Sequence, residues 1–400
     1  MATSRPLAVN RLAALGPAFA VLALVAGCSG PTVPSGSAAP PQDTATGGSA
    51  PPSSAPVPAL SLDPTAGWQR VDLANLGVLN TLQDVIVFDD VLLAAGSAGD
   101  ACEKPVVIRS ADGIDWSAED TSSAFASPTS LAVVGDGVIA LGSGGTARCA
   151  HPYAIDTWAR AADGTWTEAP WDMAFCGGQG SLSLLDRGGV AAIVGTGFGE
   201  QPVSWISKDG LHWVDRHPAL DGFSPWTSVV DGDHLLVFGA GPDGSPQART
   251  TGDGRTFAVA PFPRLPADAS ILSAIWSGRD LDVFAQEGPA LGLIRRDGAG
   301  VWSTVGGQGI RADEVASIAW VGGRFVALGG DESGVALAWS SADGVTWSAI
   351  PVPGGAGTSL AAVAVLGDTA VLVGATETPD ASRTVGAVWV ASVGVLTPPS

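Results

Sequence analysis

Ser110-Ala-Asp-Gly-Ile-Asp-Trp116 returns as Ser207-Lys-Asp-Gly-Leu-His-Trp213 and as Ser341-Ala-Asp-Gly-Val-Thr-Trp347. Looser copies read Asp163-Gly164-Thr-Trp166, Thr251-Gly-Asp253-Gly254-Arg-Thr-Phe257 and Asp297-Gly298-Ala-Gly-Val-Trp302. The six aspartates Asp112, Asp163, Asp209, Asp253, Asp297 and Asp343 follow one another at 51, 46, 44, 44 and 46 residues. A repeat period in the forties marks a propeller or a solenoid. The motif has the chemistry of a hairpin turn. A carboxylate caps backbone N–H groups, a glycine supplies positive φ, and an aromatic residue opens the next strand.

Between these copies lies a second pattern: an apolar strand, a turn, an apolar strand, then usually glycine. It occurs seven times, at Leu82–Gly96, Ser130–Gly142, Leu182–Gly195, Ser228–Gly239, Leu272–Ala285, Ala316–Gly329 and Leu360–Gly374. The turns hold Asp89-Asp90, Asp136-Gly137, Asp231-Gly232-Asp233, Gly322-Gly323 and their like, which are hairpin residues. An inner and an outer hairpin in about 46 residues make one four-stranded antiparallel propeller blade. Seven inner hairpins face six outer ones. The seventh outer hairpin is half present, as Val385–Val390 with Trp389, and Trp68-Gln-Arg-Val71 matches the missing strand. The fold expected is therefore an all-β, seven-bladed β-propeller whose last blade is closed by the N-terminal strand, hiding both sheet edges.

The Asp-Gly pattern resembles the Asp-box, or BNR repeat, of the sialidase-like propellers, over residues 67–393. The usual box is Ser-x-Asp-x-Gly-x-x-Trp; here glycine directly follows aspartate. The resemblance implies that the six aspartates are folding devices with no catalytic part. Sialidase chemistry in that family uses three arginines, an aspartic acid and a tyrosine activated by glutamate. The one tyrosine here, Tyr153, falls in the second blade rather than a late one, and the family's Phe-Arg-Ile-Pro motif is absent. Arg109 and Arg249 sit on third strands, where a solvated face is expected. Propellers of this repeat class also include photosystem assembly factors and sorting receptors. The expectation is a non-enzymatic binding or scaffolding ring, with a sialidase-type glycoside hydrolase as the alternative.

The N-terminus reads as an address. Arg5 and Arg11 precede an apolar run from Leu12 to Ala26, which ends Leu24-Val25-Ala26-Gly27-Cys28. This resembles a bacterial lipobox, and the resemblance implies cleavage before Cys28 and acylation of its sulfur. More than one acyl chain gives a stable anchor. Residues 1–27 are thus a lipoprotein signal peptide, and 28–64 the lipidated cysteine with a Pro-, Ser- and Gly-rich tether too poor in apolar residues to fold. Residues 65–395 are the propeller and 396–400 a tail. The protein is expected on the extracytoplasmic face of a cell membrane.

Of 400 residues, 39 are acidic and 19 basic, a net charge of −20, which excludes nucleic acid as a partner. There is no Gly-x-Ser-x-Gly, P-loop or His-Glu-x-x-His motif, and no metal or cofactor is expected. His212 and His217 flank Asp215 on what reads as an exposed edge. Asp282, between Leu281 and Val283, reads as a residue facing a gap between blades. Export favours disulfides, so one pair is expected among Cys102, Cys149 and Cys176, with Cys149–Cys176 preferred. A monomer is expected.

Strand alternation gathers the loops after each second strand and the blade-to-blade linkers on one end of the ring, opposite the Asp-Gly turns. Acids there include Glu103, Glu200, Glu287, Glu332 and Glu377. The linkers add Phe125, Trp171, Phe175, Phe223, Trp226 and Phe262, all in the first four blades. Acids at a rim with aromatics nearer the axis would suit a cationic or glycan-bearing partner. This end is the expected binding face, for a protein or glycan.

Overall fold

The computed structural model describes residues 67–99, 104–121, 126–144, 154–170, 178–186, 189–197, 202–215, 222–254, 256–353, 357–378 and 383–397. Cys28, Cys102, Cys149, Cys176, Tyr153 and His217 lie outside them, as do Phe125, Trp171, Phe175, Glu103 and Glu200.

The short strand β1 (Gln69–Arg70) comes first, followed by six blades of four strands in simple succession. Blade one is β2 (Leu79–Phe88), β3 (Val91–Ala98), β4 (Lys104–Ser110) and β5 (Ser117–Ala118). Blade two is β6 (Ala126–Val134), β7 (Gly137–Gly144), β8 (Ala154–Arg160) and β9 (Trp166–Glu168). Blade three is β10 (Gly178–Asp186), β11 (Ala191–Gly197), β12 (Pro202–Ser207) and β13 (Val214–Asp215). Blade four is β14 (Ser224–Asp231), β15 (His234–Ala240), β16 (Pro246–Thr251) and β17 (Ala258–Ala260). Blade five is β18 (Ser270–Ser277), β19 (Asp280–Glu287), β20 (Ala290–Arg296) and β21 (Trp302–Arg311). Blade six is β22 (Val315–Val321), β23 (Arg324–Gly330), β24 (Ala336–Ser341) and β25 (Ser348–Ala349).

Blade seven, β26 (Thr358–Leu366), β27 (Thr369–Glu377) and β28 (Thr384–Ser392), takes its fourth strand from the other end of the chain. Gln69 pairs with Val390 and Arg70 with Trp389. The Val71 N–H adds a bond to the Val388 carbonyl at 2.9 Å. Trp68 locks the join by donating its indole N–H to the Pro351 carbonyl of blade six at 2.9 Å. A 3-10 turn at Val393–Leu396 buries Leu396, so the packing of the ring runs one residue past the boundary read from the sequence. The first strands of successive blades touch all the way round, with β26 meeting β2.

Burial explains the strand compositions. The second strands are buried along nearly their whole length, because each lies mid-sheet with a blade on either side. They read as continuous apolar runs for that reason. First strands are only half-buried, since they edge the axis. Fourth strands are two or three residues long except β21, which runs for ten. Two-residue hairpins join first to second strands in every blade but the third, and Asp89 and Asp90 both take positive φ, 49° and 57°, as such a turn requires.

The glycine that closes each inner hairpin has a specific cause. Every first strand carries a register break near its start, between Leu82 and Asp84 in blade one and between Val315 and Ser317 in blade six. Beside the break a carbonyl at or just before the start of the first strand enters the space beside the second. A Cβ on Gly96, Gly239, Gly329 or Gly374 would lie 1.9, 2.1, 1.8 or 2.1 Å from that oxygen. None of these four glycines needs positive φ; each is there because only hydrogen fits under the bulge. Blade five has Ala285 at this position, and nothing in the structure explains how it is accommodated.

Candidate functional site

The Asp-Gly turns are built alike in blades one, three, four and six. In blade one the Asp112 carboxylate accepts the Ile114 and Asp115 N–H groups at 2.8 and 2.9 Å. The Ser110 hydroxyl accepts the Gly113 N–H at 2.8 Å and donates to Asp112 at 3.0 Å. Trp116 folds back to donate to the Gly113 carbonyl at 2.7 Å. Asp209, Asp253 and Asp343 repeat the carboxylate caps, with Ser207, Thr251 and Ser341 as their hydroxyl partners. Burial resists ionisation of Asp112, Asp209 and Asp343, but the converging N–H and hydroxyl donors outweigh it and hold all three below the ordinary carboxylate range.

Each of these four turns also faces the blade before its own. A Cβ on Gly113 would touch Val371 and Val390 of blade seven, one on Gly210 would strike Ile139 of blade two, and one on Gly344 would meet Leu293 of blade five. The motif fastens neighbouring blades as well as turning the chain. The looser copies at Asp163 and Asp297 differ. Neither has the serine or threonine partner. Asp163 caps Thr165 alone, at 2.9 Å, and the positive φ in the blade-five turn belongs to Gly300 rather than Gly298.

Blade two uses another fastener. Its Trp166 indole bonds Glu119, at the end of blade one, at 2.6 Å. Glu119 also receives two Arg160 nitrogens, Nε at 2.9 Å and Nη2 at 2.6 Å. The Glu119 side chain is 2% exposed and that of Arg160 9%, so the pair is desolvated. The hydrogen bond that Arg160 donates to Glu119, against the cost of burial, raises the Arg160 pKa above its ordinary value. Asp282 is fully buried and is held by Arg295 at 2.6 Å and by Ser277, while Arg295 reaches the Asp343 carbonyl of blade six at 2.9 Å. It does face a gap between blades, as an ion pair. Asp84, beside the blade-one bulge, accepts the Leu131 N–H of blade two at 2.7 Å. Desolvation pushes its carboxyl up to about 6, against the lowering effect of the Leu131 and Val85 N–H groups.

The expected binding face divides differently from its reading in the sequence. Glu287, Glu332 and Glu377 are exposed at the loops after the second strands. Phe223 is in the core, 1% exposed, because its ring fills the space over Gly239. Trp226 is the bulge residue of β14 and half-buried. Phe262 pins its linker, edge-on to Phe238 and Trp302 at 5.3 Å each. The opposite end is the richer in described carboxylates, among them Asp89, Asp90, Asp136, Asp233 and Asp368, so charge does not single out the expected face. An open cleft of about 310 Å³ lies where the N-terminal segment crosses blade one, lined by Asp72, Asn75, Ile114, Asp115 and Trp116. His212 is exposed and bonds only its own turn aspartate, Asp209. Among the described residues no group of three or more His, Cys, Asp or Glu side chains could hold a metal ion, and no helix is long and apolar enough to cross a membrane.

No protein-family model and no curated protein matches this sequence. Solved propellers do match in structure. A prolyl endopeptidase is 12% identical, with a TM-score of 0.50 over 79% of this chain and 50% of that one; the chain spans half of its length. The structure of YCF48 bound to a D1 peptide is 15% identical, with a TM-score of 0.50 over 84% of this chain and 99% of that one. The β-propeller domain of the Trilobed protease from Pyrococcus furiosus is 13% identical, with a TM-score of 0.49 over 79% and 95%. The first two likenesses, each at a TM-score of 0.50, support the propeller fold. They also correct the expectation of a non-enzymatic ring: a peptidase stands among its structural neighbours, which points to hydrolase relatives and leaves the fold no ground for excluding an enzyme.

Proposed function

We propose that the chain is a lipoprotein of a bacterial cell envelope that displays its propeller for binding a protein or glycan partner. The observation behind this reading is the order Leu24-Val25-Ala26-Gly27-Cys28, tether, closed ring. A tether of 36 residues has a coil dimension of about 30–35 Å, enough to hold a ring clear of the surface to which Cys28 is joined. The four complete turns at Asp112, Asp209, Asp253 and Asp343 we assign to the Asp-box class, on their shared caps and their Gly and Trp or Phe positions. The fold is compatible with partner binding, since a ring of this kind carries a peptide in the YCF48 structure. Detergent phase partition tests the anchor. Wild type should enter the detergent phase and Cys28→Ala should remain aqueous or unprocessed; equal partition of the two rules the anchor out.

A further inference from the structure

Residues paired directly across antiparallel strands share a face of the sheet. In every blade such a row joins the first, second and third strands two positions before the glycine under the bulge. Its third-strand member is Ile108, Trp158, Trp205, Ile294, Trp339 or Trp389 in six blades. All six are buried, and each packs against the blade before its own. Blade four has Arg249 there, paired with Val237. The first-strand member of the row is Val85, Leu131, Leu184, Ala274, Ile318 or Val363 in those six blades. In blade four it is Ser228. The two polar departures thus fall in one row of one blade. Val237, between them, packs with Ala192 and Val194 of blade three, so the row faces that seam. This corrects the expectation of a solvated face for Arg249.

The polar groups in this seam are unspent. The Oγ atoms of Ser204 and Ser228 and the Nε of Arg249 are buried with no hydrogen-bond partner among the described residues. Ser204 is 2% exposed and Ser228 6%. Ser204 pairs with Val194, which places it on the side of blade three that looks at blade four. The guanidinium lies 5.5 Å from the centroid of the Phe223 ring, a contact that steadies its charge and fixes its plane but accepts none of its N–H groups. A buried polar atom left unpaired costs about 1–3 kcal/mol, and this seam holds three. Substituting an arginine and a serine into an otherwise apolar row raises that cost unless something occupies the site.

From these three unpaired groups on the facing sides of two neighbouring blades we infer that the seam between blades three and four is a binding site for a carboxylate, held by Arg249 with the hydroxyls of Ser204 and Ser228. Guanidinium N–H groups only donate, and both hydroxyls are free to donate, so the missing group is an acceptor bearing negative charge. A flat carboxylate matches the fork of an arginine whose plane is fixed by a ring. In a chain of net charge −20, an arginine whose buried Nε has no partner among the described residues is the local exception that would attract such a group.

Thermal melting of the full chain in sodium acetate against sodium chloride of equal ionic strength tests the site. Acetate should raise the melting temperature saturably, by about 2–3 °C at ten times its dissociation constant. Arg249→Gln should abolish that increment. Arg249→Trp, which restores the repeat, should abolish it as well while melting above wild type in chloride. A capped Gly-Asp-Gly peptide and its Asn counterpart then separate the sources: an increment with the Asp peptide assigns a protein side chain, and an increment confined to acetate assigns a free acid. Identical wild-type melts in acetate and chloride, or an increment that survives in Arg249→Gln, overturns the proposal.

Discussion

Adding one methyl group beneath the bulge of blade six should damage the ring more than most core truncations. In Gly329→Ala the new Cβ would stand 1.8 Å from the Glu314 carbonyl oxygen, 2.9 Å from its carbon and 3.1 Å from the Ala316 nitrogen. All three are backbone atoms, so no side chain can swing aside. Even a tight contact of about 3 Å demands a shift of roughly 1.2 Å in a first strand or in a buried second strand. Overpacking of this kind costs typically 1–3 kcal/mol, and rigid surroundings on both sides put this case at about 3. For a domain of this size that is a fall of roughly 5–9 °C in melting temperature. Differential scanning calorimetry or urea unfolding followed by tryptophan fluorescence measures it directly. Gly374→Ala should behave alike, because its Cβ would lie 2.1 Å from the Ser359 oxygen. Ala285→Gly is the internal control, with an expected loss of about 1 kcal/mol at most from chain entropy. If Gly329→Ala melts within 1 °C of wild type, as a rough threshold set by that control, the steric account of the glycines is wrong.

Glu119→Gln keeps the shape of the side chain but leaves Arg160 buried without its counter-charge, and should cost about 3–5 kcal/mol in urea unfolding; a loss below about 1 would show the seam between blades one and two to be solvated. Asp84 makes stability depend on acid in the direction opposite to most carboxylates. Its folded pKa of about 6 lies above the ordinary value of 3.8, so the folded state holds the proton more tightly, and its contribution falls as pH rises from about 4 to about 6. The margin by which wild type out-melts Asp84→Asn should therefore be larger at pH 4 than at pH 7, and a constant margin would contradict the raised value.

The blades were legible because everything that defines them is local. A two-residue turn such as Gly322-Gly323, a capped turn such as Asp343-Gly344 and a buried second strand such as Leu235–Ala240 each announce themselves within ten residues. Ring closure was legible from the match of Trp68 to Trp116 and Trp347, because the same position recurs in each outer hairpin. What escaped depends on register. The bulge in each first strand breaks period-two alternation, so the faces of Ser228 and Trp226 could not be counted along the sequence. Gly329 read as a strand end because its partner, the Glu314 carbonyl, lies 15 residues back in the 3-10 turn that leads into β22. Arg249 lies in Pro-Gln-Ala-Arg-Thr-Thr, whose polar neighbours hide the blade it faces. Glu119 and Arg160 are 41 residues apart, and nothing in their spacing says that they meet. Phe223 misled for the same reason: an aromatic in a linker looks available until the glycine under it is known.

Blade seven is finished by the first strand of the propeller, and its partners Gln69 and Val390 lie roughly 320 residues apart in the chain. A ribosome delivers Gln69 long before Val390. Blades one to six can zip as consecutive hairpins while synthesis or export proceeds, but β1 has no partner until β28 arrives. Order of manufacture and order of assembly therefore run against each other at this one seam. Until it shuts, two blade edges stand open, and the newborn ring is most exposed to strangers just before blade seven is complete.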